Sequence, residues 1–310
     1  MNGPIIWARD LSRWYGEVIG LNQFNVDIEP GITGIVGPNG SGKSTFFKTL
    51  TGLIRPSVGQ IRMFGQDPWN NTALMRDFGF CPDFDNLSNE QTPRDFLTFV
   101  GGLHGKGGEE LAKRVDEVLD IVGMGDAADR KIGGFSKGMR QRTKIAGAMV
   151  HNPKLLLLDE PLSGTDPLGR REIIDLVKKL HRQHGHNIIV SSHVLHEVER
   201  LTHQVVVIYK GRAVAVGDIS DIRGMIDKHP HNIIVESKEM EELAKRFVEM
   251  PFVVSIQFNP DRRSAIVQVQ QPDEFFNAFP SLVEELGCEV DKVYSLDDNL
   301  ESVFRYLVGW

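Results

Sequence analysis

The chain has 310 residues, 41% hydrophobic and 25% charged, with a formal net charge of −7. That composition describes a folded globular protein with one large domain or a large and a small one, and it excludes disordered and fibrous classes. The acidic balance argues against a nucleic-acid partner, whose phosphates a binder neutralises with Lys and Arg. No run approaches the roughly 18 consecutive apolar residues that span a bilayer. The opening Met1-Asn2-Gly3-Pro4 has no basic flank followed by an apolar core, so no secretory signal is expected. Cys81 and Cys288 lie far apart and give neither a disulfide framework nor a CxxC metal pattern. A cytosolic protein is the expectation.

In chain order, Ile32 to Val36 reads as a short buried strand that enters a Gly-rich loop and then a helix from Lys43 to about Leu53. Helices follow near Thr92 to Leu103 and Glu109 to Val122, separated by Gly105 to Gly108. Ser136 is a good N-cap for a third. Leu155 to Leu158 is a buried strand, as is Asn187 to Ser191, with an amphipathic helix from about Pro167 to His184 between them. Strands separated by helices of this length predict a mostly parallel sheet covered on both faces. Val205 to Tyr209 and Ala213 to Val216 flank Lys210-Gly211 as a hairpin. After Gly217 the pattern changes. Strands near Asn232 to Glu236, Val253 to Phe258, Ala265 to Gln270 and Glu289 to Tyr294, with helices near Met240 to Phe247 and Glu274 to Leu286, give the order βαββαβ of a small ferredoxin-like α+β unit.

Gly37-Pro38-Asn39-Gly40-Ser41-Gly42-Lys43-Ser44 fits GxxxxGK[ST], with a strand before it and a helix after it. Glycines let successive backbone N–H groups turn inward as a nest for phosphate oxygens, and the following helix adds its positive end. Lys43 is assigned to the β- and γ-phosphates of ATP and Ser44 to Mg²⁺, with Thr45 beside them at the helix start. Asp159-Glu160 ends a buried strand, which is where ligands bind in an open α/β sheet. Asp159 is a Mg²⁺ ligand, directly or through water, and Glu160 a base for the attacking water. His181, His184, His186, His193, His196 and His203 invite a zinc reading, but a polar helix terminus accounts for His181 and His184.

Phe135-Ser136-Lys137-Gly138-Met139-Arg140-Gln141-Arg142, about twenty residues before Asp159, adds what a generic P-loop lacks. With these neighbours it resembles the signature loop of the ABC ATPases, in the SKGM-like form of export-type members rather than LSGGQ. The resemblance spans roughly residues 5 to 217. It implies that Ser136, Lys137, Gly138 and Met139 hold the γ-phosphate bound by an opposite subunit, so that two chains enclose two ATP molecules. It further implies that Tyr15 stacks on adenine, with Trp14 as a rival. Ser163-Gly164-Thr165-Asp166 resembles the loop through which subunits communicate, and His193 the switch histidine at the γ-phosphate. The chain departs from the family at Asp83, where Gln is usual; this shorter, charged side chain can still ligate Mg²⁺ or its waters. It departs again at Lys137, which replaces a glycine. Glu301-Ser302-Val303-Phe304 resembles the end of export-type C-terminal extensions.

The expected architecture is therefore an ABC ATPase domain over 1–217, with a helical subdomain over about 84–135, and an accessory α+β domain over 218–310. The expected function is ATP binding and hydrolysis for a transporter, with an export preference. The implied partners are transmembrane permease subunits and a second ATPase chain, identical or related, which would hold the protein at the cytoplasmic face of a membrane. The alternative is an ABC ATPase acting on ribosomes or DNA. Such proteins resemble two fused units or a unit split by coiled coil, and neither is present. An ordinary P-loop kinase would leave the signature loop, Asp166 and His193 unexplained.

Overall fold

The computed structural model describes residues 3–85, 87–226 and 230–296. The chain divides into two compact units, residues 1–217 and 218–310. The first runs β1 (Ile6–Tyr15), β2 (Val18–Ile28), β3 (Ile32–Val36), α1 (Lys43–Leu50), β4 (Val58–Met63), β5 (Phe78–Cys81), α2 (Pro93–Leu103), α3 (Gly108–Ile121), α4 (Lys137–Met149), β6 (Leu155–Leu158), α5 (Pro167–His184), β7 (Asn187–Ser192), α6 (Leu195–Glu199), β8 (Gln204–Tyr209) and β9 (Arg212–Asp218). The second continues with α7 (Ile219–Ile226), β10 (His231–Ser237), α8 (Met240–Val248), β11 (Val253–Phe258), β12 (Ser264–Val269), α9 (Pro272–Leu286) and β13 (Val290–Ser295).

The first unit contains a six-stranded sheet in the order β5-β6-β7-β3-β8-β9, parallel across β5, β6, β7, β3 and β8. Along β3, β6, β7 and β8 both faces are buried, which explains the uninterrupted apolar runs, while the edge strand β9 is exposed or half-buried. Leu156, Leu158, Ile188 and Val190 enter the core that includes the helical region, while Leu155, Leu157, Ile189 and Val206 enter a second core with Phe24, Phe46 and Phe47. Each fully buried Leu removes enough apolar surface from water to contribute about 1.5–3 kcal/mol. β8 and β9 are joined through Lys210 and Gly211, both at positive φ (45° and 77°), the geometry a tight hairpin turn requires.

Beside this lies a three-stranded antiparallel sheet, β2-β1-β4. The sequence pattern assigns no strand before Ile32, and the reason is visible in the register. β1 is broken by shifts between Ala8 and Leu11 and again up to Trp14, with Asp10 at φ 47°, so its apolar residues lose strict alternation. α1 ends at Leu50 rather than Leu53, because Gly52 turns to φ 69° and the amides of Leu53 and Ile54 fold back onto the Lys48 carbonyl.

α2 and α3 pack with α4 beside the parallel sheet, and α2 starts with a reciprocal capping box between Thr92 and Asp95. The second unit forms a four-stranded antiparallel sheet, β11-β12-β10-β13, carrying α8 and α9, the strand order of a split βαβ fold. Glu301–Phe304 lies outside the described residues.

Candidate functional site

The Gly37–Ser44 loop bridges β3 and α1. Two of its glycines are required by space. A Cβ on Gly42, whose φ is 115°, would come 2.5 Å from the Gly20 carbonyl oxygen; one on Gly37 would meet the Ile208 carbonyl oxygen at 2.4 Å. Lys43 is almost fully buried, and its Nζ donates to the carbonyls of Gly37 (2.6 Å) and Pro38 (3.3 Å). The same ammonium stands 3.3 Å from Glu160 Oε1.

Glu160 stands two residues beyond Leu158, the end of β6, and adopts φ 47°, a left-handed conformation that costs a non-glycine residue about 1–3 kcal/mol. Its backbone N–H donates to Ser191 Oγ at 2.8 Å, and its Oε2 lies 2.9 Å from His193 Nδ1. Ser191 in turn donates to Asp159 Oδ1 at 2.5 Å. Burial pushes the Asp159 carboxyl above its ordinary pKa. The Ser191 hydrogen bond opposes that shift, the charges of Glu160 and Asp83 reinforce it, and Lys43 draws it back. Such a carboxylate gains from a cation beside it.

These groups converge because four neighbouring strands end together. Asp83 follows β5, Asp159-Glu160 follows β6, His193 follows β7 and the phosphate loop follows β3. Their carboxyl ends border a cleft of about 400 Å³ that includes Tyr15, residues 39–45, Asp83, Glu160, Ser163 and His193. Tyr15 is 42% exposed with the Arg13 guanidinium 5.1 Å over its ring; Trp14 does not line the cleft. Ser136 caps α4, accepting the Met139 N–H at 3.3 Å. None of residues 136–139 lines the cleft, nor does Asp166, the residue before α5. They are gathered elsewhere. A Cβ on Gly138 would lie 3.8 Å from Gly169 Cα, and one on Gly164 would lie 3.1 Å from Lys137 Nζ.

The cleft suits a nucleotide's phosphates. It offers a backbone cradle, a buried lysine, and Ser41 Oγ, buried with no hydrogen-bond partner among the described residues. Ser44 and Asp83 line the cleft, whereas Asp159, buried after the end of β6, does not; the oxygens of all three are of the hard type that Mg²⁺ prefers. Among the described residues no group of three or more His, Cys, Asp and Glu side chains is arranged to hold a metal, and a P-loop Mg²⁺ needs only one or two carboxylates plus phosphate oxygens. Among the histidines, His181 and His186 each bond a backbone carbonyl through Nδ1.

The sequence pattern did not single out Ser191 as the residue that holds both acidic groups. A hydroxyl at the buried end of a strand two residues before His193 is the signal that could have found it. Val18, Ile19 and Gly20 also border the cleft, from a strand that the pattern does not reveal.

The sheet and the cleft define a P-loop ATPase of the ABC cassette architecture. The profile of the ABC transporter family matches residues 21–163. The chain is 32% identical over 278 residues to the uncharacterized ABC transporter ATP-binding protein YxlF of Bacillus subtilis, covering 88% of this chain and 89% of that one. It is 31% identical over 310 residues to the bacitracin transport ATP-binding protein BcrA of Bacillus licheniformis, covering 98% and 97%. It also superposes on the dimeric structure of MJ0796, a bacterial ABC transporter cassette, with a TM-score of 0.63 and 26% identity over 69% of this chain and 98% of that one. The chain belongs to the ABC transporter ATP-binding proteins, and it is an ATPase of that family. Among the described residues no helix is long and apolar enough to cross a membrane.

Proposed function

We propose that the chain drives an exporter by closing, as a homodimer or with a related ATPase chain, around two molecules of MgATP. The observation that carries this reading is the position of the Glu160 carboxylate, held between Lys43 Nζ at 3.3 Å and His193 Nδ1 at 2.9 Å at the mouth of the phosphate loop. Phosphates engaged by Lys43 replace its pairing with Glu160 and leave that carboxylate to accept a proton from water attacking the γ-phosphorus. His193 holds the far side of the carboxylate and reports the γ-phosphate. Tyr15 supplies a stacking face for adenine. Ser44, Asp159 and Asp83 are the side chains that would hold Mg²⁺, and the ion would supply positive charge to the phosphate oxygens.

The capped N-terminus of α4 completes the partner's site. Ser136, Gly138 and the free amides beside them favour an anion, and the Lys137 ammonium adds charge. Because these residues do not line their own chain's cleft, they are free to meet the cleft of a second copy, with Asp166 beside them. Docking to transmembrane subunits is assigned to the helical region. There, Phe96, Phe99, Val100 and Leu103 line a groove of about 350 Å³, and Phe99 and Leu103 are 60% and 72% exposed. The export direction rests on the SKGM-like loop. The protein thus works at the cytoplasmic face of a membrane through its partners.

Light scattering on Glu160→Gln with and without ATP and Mg²⁺ tests the dimer. The variant keeps the shape and removes the base, so it should pass from monomer to dimer with MgATP. Should it stay monomeric both alone and when co-purified from membranes with its permease, the site shared between two chains fails. Lys137→Gly should weaken the same dimer; unchanged dimerisation would remove Lys137 from the phosphate.

A further inference from the structure

Lys144 stands in the middle of α4, outside every nucleotide motif, with only 6% of its surface exposed. A buried ammonium is costly unless it is hydrogen-bonded, and it has three donors to satisfy. All of them go to one tripeptide. Nζ donates to the carbonyls of Pro82 at 2.8 Å, Asp83 at 3.1 Å and Phe84 at 3.3 Å. One turn earlier on the same helix, Gln141 Nε2 reaches Cys81 Sγ at 3.5 Å, so α4 grips residues 81–84 continuously.

The helix offering this grip is itself fixed. α4 lies so close to β5 that a Cβ on Gly79 would fall 1.8 Å from the Ala148 carbonyl oxygen. The gripped loop is neither bland nor remote: Asp83 borders the nucleotide cleft with Lys43, Ser44 and Glu160. Pro82 and Lys144 also border the apolar groove of Phe96, Phe99 and Leu103. One buried cation therefore touches the wall of the groove and the backbone of the cleft.

We propose that Lys144 is a positioning residue for the nucleotide reaction: it anchors the main chain of Pro82–Phe84 to α4 and so sets where the Asp83 carboxylate stands in the cleft. The inference rests on the reading of Asp83 as part of the Mg²⁺–nucleotide site. Because α4 also bears Ser136 and Lys137 at its start, the anchor ties the loop of one ATP site to the helix that serves the other. A shift of the groove wall is then felt at Asp83 through Lys144, without unfolding either element.

ATP binding to the full-length chain, titrated once with Mg²⁺ and once with EDTA, tests this. The ratio of the two dissociation constants isolates the metal-dependent part, and the EDTA value reports on an intact phosphate loop. Lys144→Met, which keeps the apolar stem and removes the donors, should cut the Mg²⁺-dependent gain on the order of tenfold, as lost support of a metal ligand does. Its EDTA affinity should stay within about twofold of the parent, since the phosphate loop is untouched. Asp83→Ala should cut the gain at least as far, and the double variant no further than Asp83→Ala alone. Lys144→Gln retains one donating amide and should lose less; it carries the test if Lys144→Met does not fold. A parental gain in both Lys144 variants beside a lowered gain in Asp83→Ala overturns the anchor alone, as does an additive double variant. A parental gain in Asp83→Ala overturns the reading of Asp83, and the anchor with it.

Discussion

The parallel sheet of the first unit and the antiparallel sheet of the second use burial differently. Every residue of β6 is buried, and its alternate side chains feed two separate cores. β10 instead alternates strictly between buried and half-buried, with Ile233 and Val235 facing the helices. Parallel neighbours in one sheet run the same way, so the loops that leave successive strands collect at the same end of the sheet. That is where Asp83, Glu160, His193 and the phosphate loop meet. In the second unit neighbouring strands run in opposite directions, so its loops leave at both ends of the sheet, and no comparable cluster of chemistry gathers there among the described residues. The difference teaches that the site follows from connectivity as much as from residue type.

The largest effects are expected at the crowded strand end of the first unit. If Glu160 is the base proposed above, Glu160→Gln should lower ATP hydrolysis about 10²–10⁴-fold while leaving ATP binding in place. Steady-state phosphate release measured beside nucleotide affinity checks this. Next in size is packing. Leu157→Ala, in a fully buried strand, should cost about 2–5 kcal/mol. Ile266→Ala, on the half-buried face of β12, should cost about 1 kcal/mol or less. Urea unfolding followed by hydrogen exchange would assign each loss to its unit, and equal losses would erase the contrast.

Removing the α4 cap by Ser136→Ala should cost about 1 kcal/mol, read as a lower unfolding midpoint. The smallest effect is on acid sensitivity. Burial pushes His151 down to about 4, helped by the charges of Lys106, Arg114 and neighbouring His104, while its Nε2 stays 3.0 Å from the Phe78 carbonyl oxygen. The unfolded chain takes up this proton near pH 6.5 and the folded chain only near 4, so stability falls as pH drops through that interval. His151→Phe should flatten this part of the pH–stability curve while keeping the stack on His104, whose ring lies 3.7 Å away. An unchanged slope would exclude His151 as its source.

Much of this was legible because it is local. The phosphate loop carries its own spacing, Ser136 its own cap, and Lys210-Gly211 its own turn. In the second unit β10 and β12 keep a period of two, and its four strands could be placed within a residue or two. β1 escaped because bulges interrupt its period, and β2 went unread with it although Phe24 to Ile28 alternates, so Gly20 and Ile19 at the rim of the cleft were missed. Ser191 and Lys144 escaped for another reason: a serine at a strand end and a lysine within a helix have ordinary solvent-facing uses, and only burial against particular partners makes them specific.

By itself the sequence determined that Gly37–Ser44 carries a phosphate-loop motif and that an acidic pair closes a buried strand nearby, because each depends on residues adjacent in the chain. Tertiary structure decided the order β5-β6-β7-β3, which sets His193 against Glu160 and Asp83 beside the phosphate loop. Strand order is fixed by how the crossover helices pack over the two cores, a contest among distant apolar surfaces that no short stretch of sequence records.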